Sequence, residues 1–220
     1  RTEHCSRIAQ RPALILLLLG LIVSWPAEVS AWTETEPFGF GAHLELDPEG
    51  NAYVTMRIGL RVKRGWLEGY DLTLRDHDVT LDDRRTPTLF SQVDQEEVKR
   101  PLKARQRRDG KWRLTLPAKN SPRRGEHWLQ LHYFTDLSET ASLLEDGKVR
   151  FEWQMPSWEV QLEEVRLSAV LPRGATVHEA PGETAEVSFK DHSLATEAHW
   201  HYRHLPRRRA VRMQVDVPSQ

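Results

Sequence analysis

The chain has 220 residues, enough for one large domain or two small ones. Its hydrophobic content of 39% and charged content of 29% are typical of a globular protein. The 31 Lys and Arg balance the 32 Asp and Glu almost completely. This balance argues against a general affinity for polyanions, so an electrostatic partner requires a local patch.

The first residues have the three parts of a secretory signal peptide. The basic "RTEHCSRIAQR" precedes the apolar "PALILLLLGLIVSW", and "PAEVSA" ends in small residues at Ala31. The apolar stretch is about 13 residues, whereas a membrane-spanning anchor, the alternative, needs roughly 20. We therefore predict a signal peptide over residues 1–31 and export to the periplasmic or extracytoplasmic side of a membrane. The only cysteine, Cys5, lies in this leader, which excludes disulfides and Cys-bound metal from the mature chain.

Beyond Trp32 apolar and polar residues alternate. "AYVTMRIGLRV" is typical of a strand with one wet face, and the turn "PEGN" before it predicts a hairpin with "GAHLELD". The same alternation recurs in "YDLTLRD", "KWRLTLP", "HWLQLHYF", "KVRFEWQM", "EVRLSAVLP", "AEVSF" and "AVRMQVDVP". We therefore predict an all-β protein, an antiparallel β-sandwich type preceded by a signal-peptide helix, with two packed sub-sandwiches as an alternative.

Two segments depart from the alternation. In residues 138–147, "SETASLLEDG", Ser138 is a candidate N-cap and Gly147 a stop signal, which predicts one or two helical turns. This segment would connect a first β unit, residues 32–137, to a second, residues 148–220, although the two could form one domain. In residues 91–111, "SQVDQEEVKRPLKARQRRDGK", the first half reads as a loop or helical turn and the second as a basic strand entering a "DG" turn.

The segment "EAHWHYRH" is a candidate metal site. His199 and His201 share one face of a strand and have the spacing of two metal ligands. Trp200 and Tyr202 point to the opposite face, toward a core, and His204 lies on that side too, so a third ligand is missing. The alternation explains every residue without a metal, and we favour an exposed strand face with no metal and no cofactor.

Signals for catalysis or calcium binding are weak. The chain contains no GxSxG, no HExxH and no Gly-rich phosphate loop, which favours a non-catalytic protein. "RDHDVTLDDRR", residues 75–85, places Asp76 and Asp78 on one face of an extended chain, as calcium ligands could be. It lacks the Gly and terminal Glu of a calcium loop, and Arg84 and Arg85 follow. A solvated acidic turn is the better interpretation.

Basic residues form the most distinctive surface feature. The clusters considered for binding are Lys103, Arg105, Arg107, Arg108, Arg207, Arg208 and Arg209. On an exported protein they could contact an anionic membrane surface or envelope glycans, and the alternative is a solvated hairpin face. Export argues against nucleic acid as a partner. A protein partner at an exposed sheet edge is a further candidate.

One block resembles a known family. "VRFEWQMPSWEVQLEEVRLSAVLP", residues 149–172, together with "LELDPEGNAYVTMRIGLRV" and the closing "AVRMQVDVP", resembles predicted bacterial membrane proteins of unknown function with an N-terminal extracytoplasmic β domain. That family usually has an acidic residue where this chain has Thr55-Met56. It continues into transmembrane helices, so the resemblance implies membrane tethering. It brings no catalytic residues.

These observations predict an exported, non-catalytic β-sandwich module of the bacterial envelope with a binding or scaffolding role. The alternative is a carbohydrate-binding or carbohydrate-active β-sandwich, in which exposed aromatics would stack on sugars. Burial of the tryptophans discriminates between the two, and we assign Trp153 and Trp158 to packing because aromatics alternate with charged residues along the strands.

Overall fold

The computed structural model describes residues 33–74, 79–93, 96–178, 185–192 and 195–218. Two short 3₁₀ turns, Ala118–Asn120 and Ser138–Thr140, lie between strands of this part of the chain. Its strands, in chain order, are β1 Glu34–Leu46, β2 Asn51–Arg64, β3 Gly69–Leu72, β4 Thr80–Leu81, β5 Thr88–Val93, β6 Glu96–Pro101, β7 Lys103–Gln106, β8 Trp112–Thr115, β9 Gly125–Asp136, β10 Ser142–Leu143, β11 Lys148–Gln154, β12 Glu164–Pro172, β13 Thr176–His178, β14 Glu186–Asp191, β15 Ala195–Tyr202 and β16 Arg212–Pro218.

The strands form three sheets. The large sheet has the order β14-β15-β12-β1-β2-β9-β5-β6, and the short β4 also pairs with β9. A four-stranded sheet has the order β10-β11-β16-β13, and a three-stranded sheet the order β3-β8-β7. Neighbouring strands are antiparallel except β1 and β12, which are parallel. The prediction of an all-β, sandwich-type fold is confirmed.

Strand β2 shows why these residues form sheets. Val54, Met56, Ile58 and Leu60 are fully buried, whereas the residues between them form the opposite face of the large sheet. A strand turns successive side chains to opposite faces, so alternation in the sequence becomes one apolar and one polar face. We call the apolar face of the large sheet the inner face and the polar face the outer face.

The inner face packs against the smaller sheets through large aromatic side chains. Trp153 of β11 is 1% exposed, and its indole N–H donates to the Tyr133 hydroxyl of β9 over 3.2 Å. The rings of Phe40 and Trp158 are 5.3 Å apart. Trp158 also donates to the Tyr70 hydroxyl of β3 over 3.0 Å. Both tryptophans assigned to packing therefore hold sheets together, which confirms that assignment.

The predicted hairpin joins β1 to β2 through a tight turn. Asp47 accepts a hydrogen bond from the backbone N–H of Asn51 over 2.8 Å, and Gly50 has a φ of +98°. A Cβ at Gly50 would lie 2.5 Å from the Phe151 ring. Glycine is therefore required here both by the backbone conformation and by the ring packed on it.

Two predictions of local structure need correction. Ser91 lies in β5 and residues 96–101 form β6, so the first half of segment 91–111 is mostly strand rather than loop or helical turn. Ser91 pairs with His127 of β9, and residues 92–93 pair with β6, an edge strand whose charges do not interrupt this pairing. In segment 138–147 the helical turn is confirmed over Ser138–Thr140, but Ser138 is not its N-cap, and β10 follows.

The large sheet draws strands from both predicted β units. Strand β12, from residues 148–220, pairs with β1 from residues 32–137, and β15 and β14 extend the sheet beyond it. The predicted signal peptide, residues 1–31, lies outside the described residues. Within the described residues no helix has the length and apolar character needed to cross a bilayer.

Candidate functional site

The basic hairpin, residues 103–115, comprises β7, a turn and β8. Arg105 lies directly opposite Arg113 in the cross-strand register, and Asp71 of β3 lies on the other side of Arg113. Arg113 donates to Asp71 over 3.0 Å, and Arg107 lies 3.6 Å from the same carboxylate. Like charges directly opposite one another are unfavourable in a sheet, and a single Asp is shared between two guanidinium groups. The hairpin is therefore locally positive.

Three cations of the basic hairpin have no carboxylate partner in the described part of the chain: Lys103, Arg105 and Arg108. Arg105, Arg107, Arg108 and Arg113 line an open depression of about 540 Å³. The predicted residues 103–108 thus share one surface. Its shape suits contact with an extended anionic surface more than the enclosure of a small molecule.

The second predicted cluster lies in the turn after β15. Arg208 donates to Glu159 over 2.7 Å, and its backbone N–H donates to the carbonyl oxygen of Trp158. Arg208 has a φ of +60°, a conformation that this backbone bond helps to hold. Among the described residues, no hydrogen bond or ion pair joins residues 207–209 to the basic hairpin. The two predicted clusters are thus separate features.

An exposed tryptophan precedes the three-stranded sheet. Trp66 is 40% exposed, and the Arg123 guanidinium lies 4.1 Å from its ring centroid. Leu67, the next residue, donates to the Pro122 carbonyl, which holds the two loops together. Tryptophan is enriched where proteins meet a polar–apolar boundary, and a cation over the ring face is attracted by the ring quadrupole. Trp66 and Arg123 are distant in the chain, so no local pattern of residues identifies the pair.

The histidine strand is β15, and its outer-face residues pair with carboxylates. His199 Nε2 lies 3.2 Å from Glu197, and His201 Nε2 lies 3.0 Å from Glu164. Trp200 and Tyr202 are buried on the inner face, which confirms the predicted alternation. His204 follows the strand and is exposed. The described residues bring together no group of three His, Cys, Asp or Glu that could hold a metal ion.

The outer face of the large sheet contains a groove that sequence reasoning missed. It has a volume of about 360 Å³, and its lining includes Gly41, His43, Thr55, Arg57, Trp128, Glu164 and Arg166. These residues come from β1, β2, β9 and β12, which are distant in the chain but adjacent in the sheet. The bare backbone of Gly41 forms its floor, because Arg57 and Arg166 lie opposite Gly41 on its two sides.

Charges around this outer-face groove are unevenly compensated. Arg166 donates to Glu164 over 2.7 Å, and this contact lowers the pKa of Glu164 below its usual value. Arg57 has no carboxylate partner among the described residues, and its guanidinium carbon lies 5.6 Å from the ring centroids of both Phe90 and Trp128. The groove is therefore bordered by one cation that lies close to two aromatic rings and has no carboxylate partner among the described residues.

The remaining ionic cluster of note is structural. Asp216 of β16 is 4% exposed and accepts two hydrogen bonds from Arg150, of 2.6 and 2.9 Å, and contacts His178 at 2.5 Å. Arg150 lowers the pKa of Asp216, and His178 adds to this effect. Because both carboxylate oxygens are occupied, this cluster fixes β11, β13 and β16 together. The candidate calcium ligands Asp76 and Asp78 lie outside the described residues.

Comparisons with known proteins bear on the fold. No protein-family model and no curated protein matches the chain. A two-domain M1 zinc metallopeptidase mutant bound to L-tryptophan is similar in structure, with a TM-score of 0.56 and 13% identity over 82% of this chain and 42% of that one. The M1 zinc metallopeptidase from Deinococcus radiodurans gives a TM-score of 0.54 and 12% identity, with the same coverage. The chain spans less than half the length of these proteins, and likeness at this identity shows the fold alone.

Proposed function

We propose that the chain is an exported, non-catalytic β-sandwich module of the bacterial envelope that binds an anionic membrane surface through its basic hairpin. The observation that carries the proposal is the set of three cations without carboxylate partners, Lys103, Arg105 and Arg108. Each cation near an anionic membrane contributes about 1 kcal/mol. An anionic membrane would neutralise the positive charge of the basic hairpin, which Asp71 and Asp109 neutralise only in part.

The exposed Trp66 supports a membrane surface in preference to a free anion. An indole with one apolar face and one polar edge is suited to the headgroup region of a bilayer, and Arg123 beside it favours anionic lipid. The predicted signal peptide and the family resemblance support a location on the outer side of a membrane. A protein partner at the edge strands β6 and β14 stays a prediction. It is the weaker candidate, because both edge strands carry charges that discourage pairing with another strand.

The test is binding of the purified protein to vesicles containing phosphatidylglycerol, compared with vesicles of phosphatidylcholine. We expect binding to the anionic vesicles that weakens with salt and falls about a hundredfold in the triple variant Arg105→Glu, Arg107→Glu, Arg108→Glu. The matched control reverses three other exposed cations, Arg84→Glu, Lys119→Glu and Arg173→Glu, with the same change in net charge. Equal losses in the two triple variants would indicate a general charge effect and refute the hairpin assignment.

A carbohydrate-binding role is the second candidate. Trp153 and Trp200 are buried and cannot stack on a sugar, whereas Trp128 is half-buried and borders the outer-face groove. The position of this indole at the groove supports the carbohydrate-binding candidate. Binding of an oligosaccharide by the hairpin triple variant, with vesicle binding lost, would show that the two candidates use different surfaces.

A further inference from the structure

We infer that the outer-face groove binds an acidic saccharide unit, with the sugar's carboxylate on Arg57. The inference rests on the carbohydrate-binding candidate above and names its ligand class and its site. It uses none of the residues of the basic hairpin. Either site can therefore fail a test without affecting the other.

Arg57 is prepared for an anionic ligand. Its guanidinium carbon is 5.6 Å from the centroids of Phe90 and Trp128, which restrict its position. No carboxylate of the described residues pairs with it, and Glu164, which lines the same groove, is paired with Arg166. A guanidinium held between rings is less hydrated than an ammonium and presents paired N–H groups that match the two oxygens of a carboxylate. The neighbouring Arg166 is already paired with Glu164, so Arg57 is the free cation of the groove.

The floor of the groove is open although the fold does not require it to be. Arg57 of β2, Gly41 of β1 and Arg166 of β12 lie in one row across the sheet, a span of roughly 10 Å at normal strand spacing. A Cβ at Gly41 would lie 3.7 Å from the Arg166 carbonyl oxygen and 3.9 Å from the Arg57 Cβ, which is ordinary contact. A side chain would fit at Gly41. Because Gly41 has no side chain, the groove keeps its volume of about 360 Å³, which is in the range of small ligand sites.

By contrast, Gly39 is required by packing. A Cβ there would lie 2.9 Å from the Trp128 ring, so the indole lies directly on the backbone of β1. This contact fixes the indole at the end of the groove. The two glycines on the same face of β1 thus have different roles, one holding the tryptophan and one leaving space.

The walls of the groove favour a sugar over a bare anion. Trp128 offers an apolar ring and an indole N–H that has no acceptor among the described residues. His43 hydrogen-bonds Ser168 over 2.8 Å, and Thr55 hydrogen-bonds His132 over 3.0 Å, which places hydroxyl and imidazole groups beside the floor. A sugar ring presents apolar C–H groups and hydroxyls that match these two kinds of wall. Phosphate alone would use only the cation.

The test is a calorimetric titration with a trisaccharide of galacturonic acid, with the neutral galactose trisaccharide, acetate and inorganic phosphate as comparison ligands. We expect the acidic trisaccharide to bind at least about tenfold more tightly than each comparison ligand. Arg57→Met keeps an apolar stem between the rings but removes the charge, and we expect it to weaken binding about tenfold. Gly41→Val fills the floor and should abolish binding while the protein stays folded, because valine is favoured in strands.

Arg105→Met in the basic hairpin is the matched control, and it should leave saccharide binding unchanged. Tighter binding of acetate or phosphate than of the trisaccharide would overturn the assignment of a sugar, as would equal affinity for the neutral trisaccharide. Unchanged binding by Gly41→Val, with its fold verified by circular dichroism, would overturn the location. These outcomes do not depend on vesicle binding, so failure here is distinguishable from failure of the membrane proposal.

Discussion

The inner face of β2 carries Val54, Met56 and Ile58, all fully buried, whereas the outer face of the same strand carries Thr55, Arg57 and Gly59. On the inner face the role of each side chain follows from the alternation along its own strand, because a buried position requires only an apolar side chain. On the outer face each side chain acquires its role from the neighbours that the register places beside it. Arg57 lies beside Gly41 and Gln130 although neither is near it in the chain.

We therefore expect the inner-face residues to determine stability and the outer-face residues to determine binding. Substitutions on the inner face should reduce the free energy of unfolding, whereas those on the outer face should change binding and leave stability nearly constant. Two buried polar residues are exceptions to this division. His127 is buried with the inner-face residues of β9, and Asp216 is buried on the side of β16 opposite Met213 and Val215, so both contribute to stability.

The largest effect is expected for Trp153→Ala. This substitution removes a fully buried indole and its hydrogen bond to Tyr133, and we expect it to lower the free energy of unfolding by about 3–5 kcal/mol. Urea unfolding followed by circular dichroism measures it. Arg57→Met on the outer face is the control, expected to change stability by less than about 0.5 kcal/mol. Similar losses in the two variants would refute the division between the faces.

A smaller loss is expected for Asp216→Asn. It removes the buried charge that pairs with the partly exposed Arg150, and we expect a cost of about 2 kcal/mol. Because the pKa of Asp216 is lowered in the folded protein, its contribution is present above the ordinary Asp pKa near 3.8 and is lost as pH falls through the folded value. Glu159→Gln, in the exposed pair with Arg208, is the control, and we expect almost no change.

The smallest effect concerns the pH dependence of stability. Burial lowers the pKa of His127 below its ordinary value near 6.5, and the imidazole contacts Ser91 and the Arg123 carbonyl oxygen. Between the folded and ordinary values the unfolded chain binds a proton that the folded protein does not. Stability should therefore be complete above about pH 7 and fall as pH is lowered toward about pH 5.

Thermal unfolding across this pH range measures the effect. His127→Gln should reduce the pH dependence of stability. Part of that dependence should persist, because burial also lowers the pKa of His132. A slope identical in the protein and in His127→Gln would exclude His127 as a contributor.

The strands of the fold could be predicted in large part, and the groove could not. The hairpin of β1 and β2, the buried faces of β9 and β15, and the packing of Trp153 all follow from alternation and turn signals. The strand conformation of residues 91–93 and 96–101 was not predicted because it depends on the pairing of β5 with β6, on the pairing of β5 with β9, and on an edge position that tolerates charge. The groove was not predicted because its residues come from strands that are distant in the chain.

The sequence alone determined which side of each strand is buried, because the energy of burying apolar surface acts on every residue separately and repeats with the period of the strand. It also determined that basic residues 103–108 share a hairpin, because they are neighbours in the chain. Only the tertiary structure decided that β12 lies parallel to β1, and with it that Arg57, Gly41 and Arg166 lie in one row. The register between strands distant in the chain is set by the summed packing of whole sheets, so no local pattern of residues specifies it.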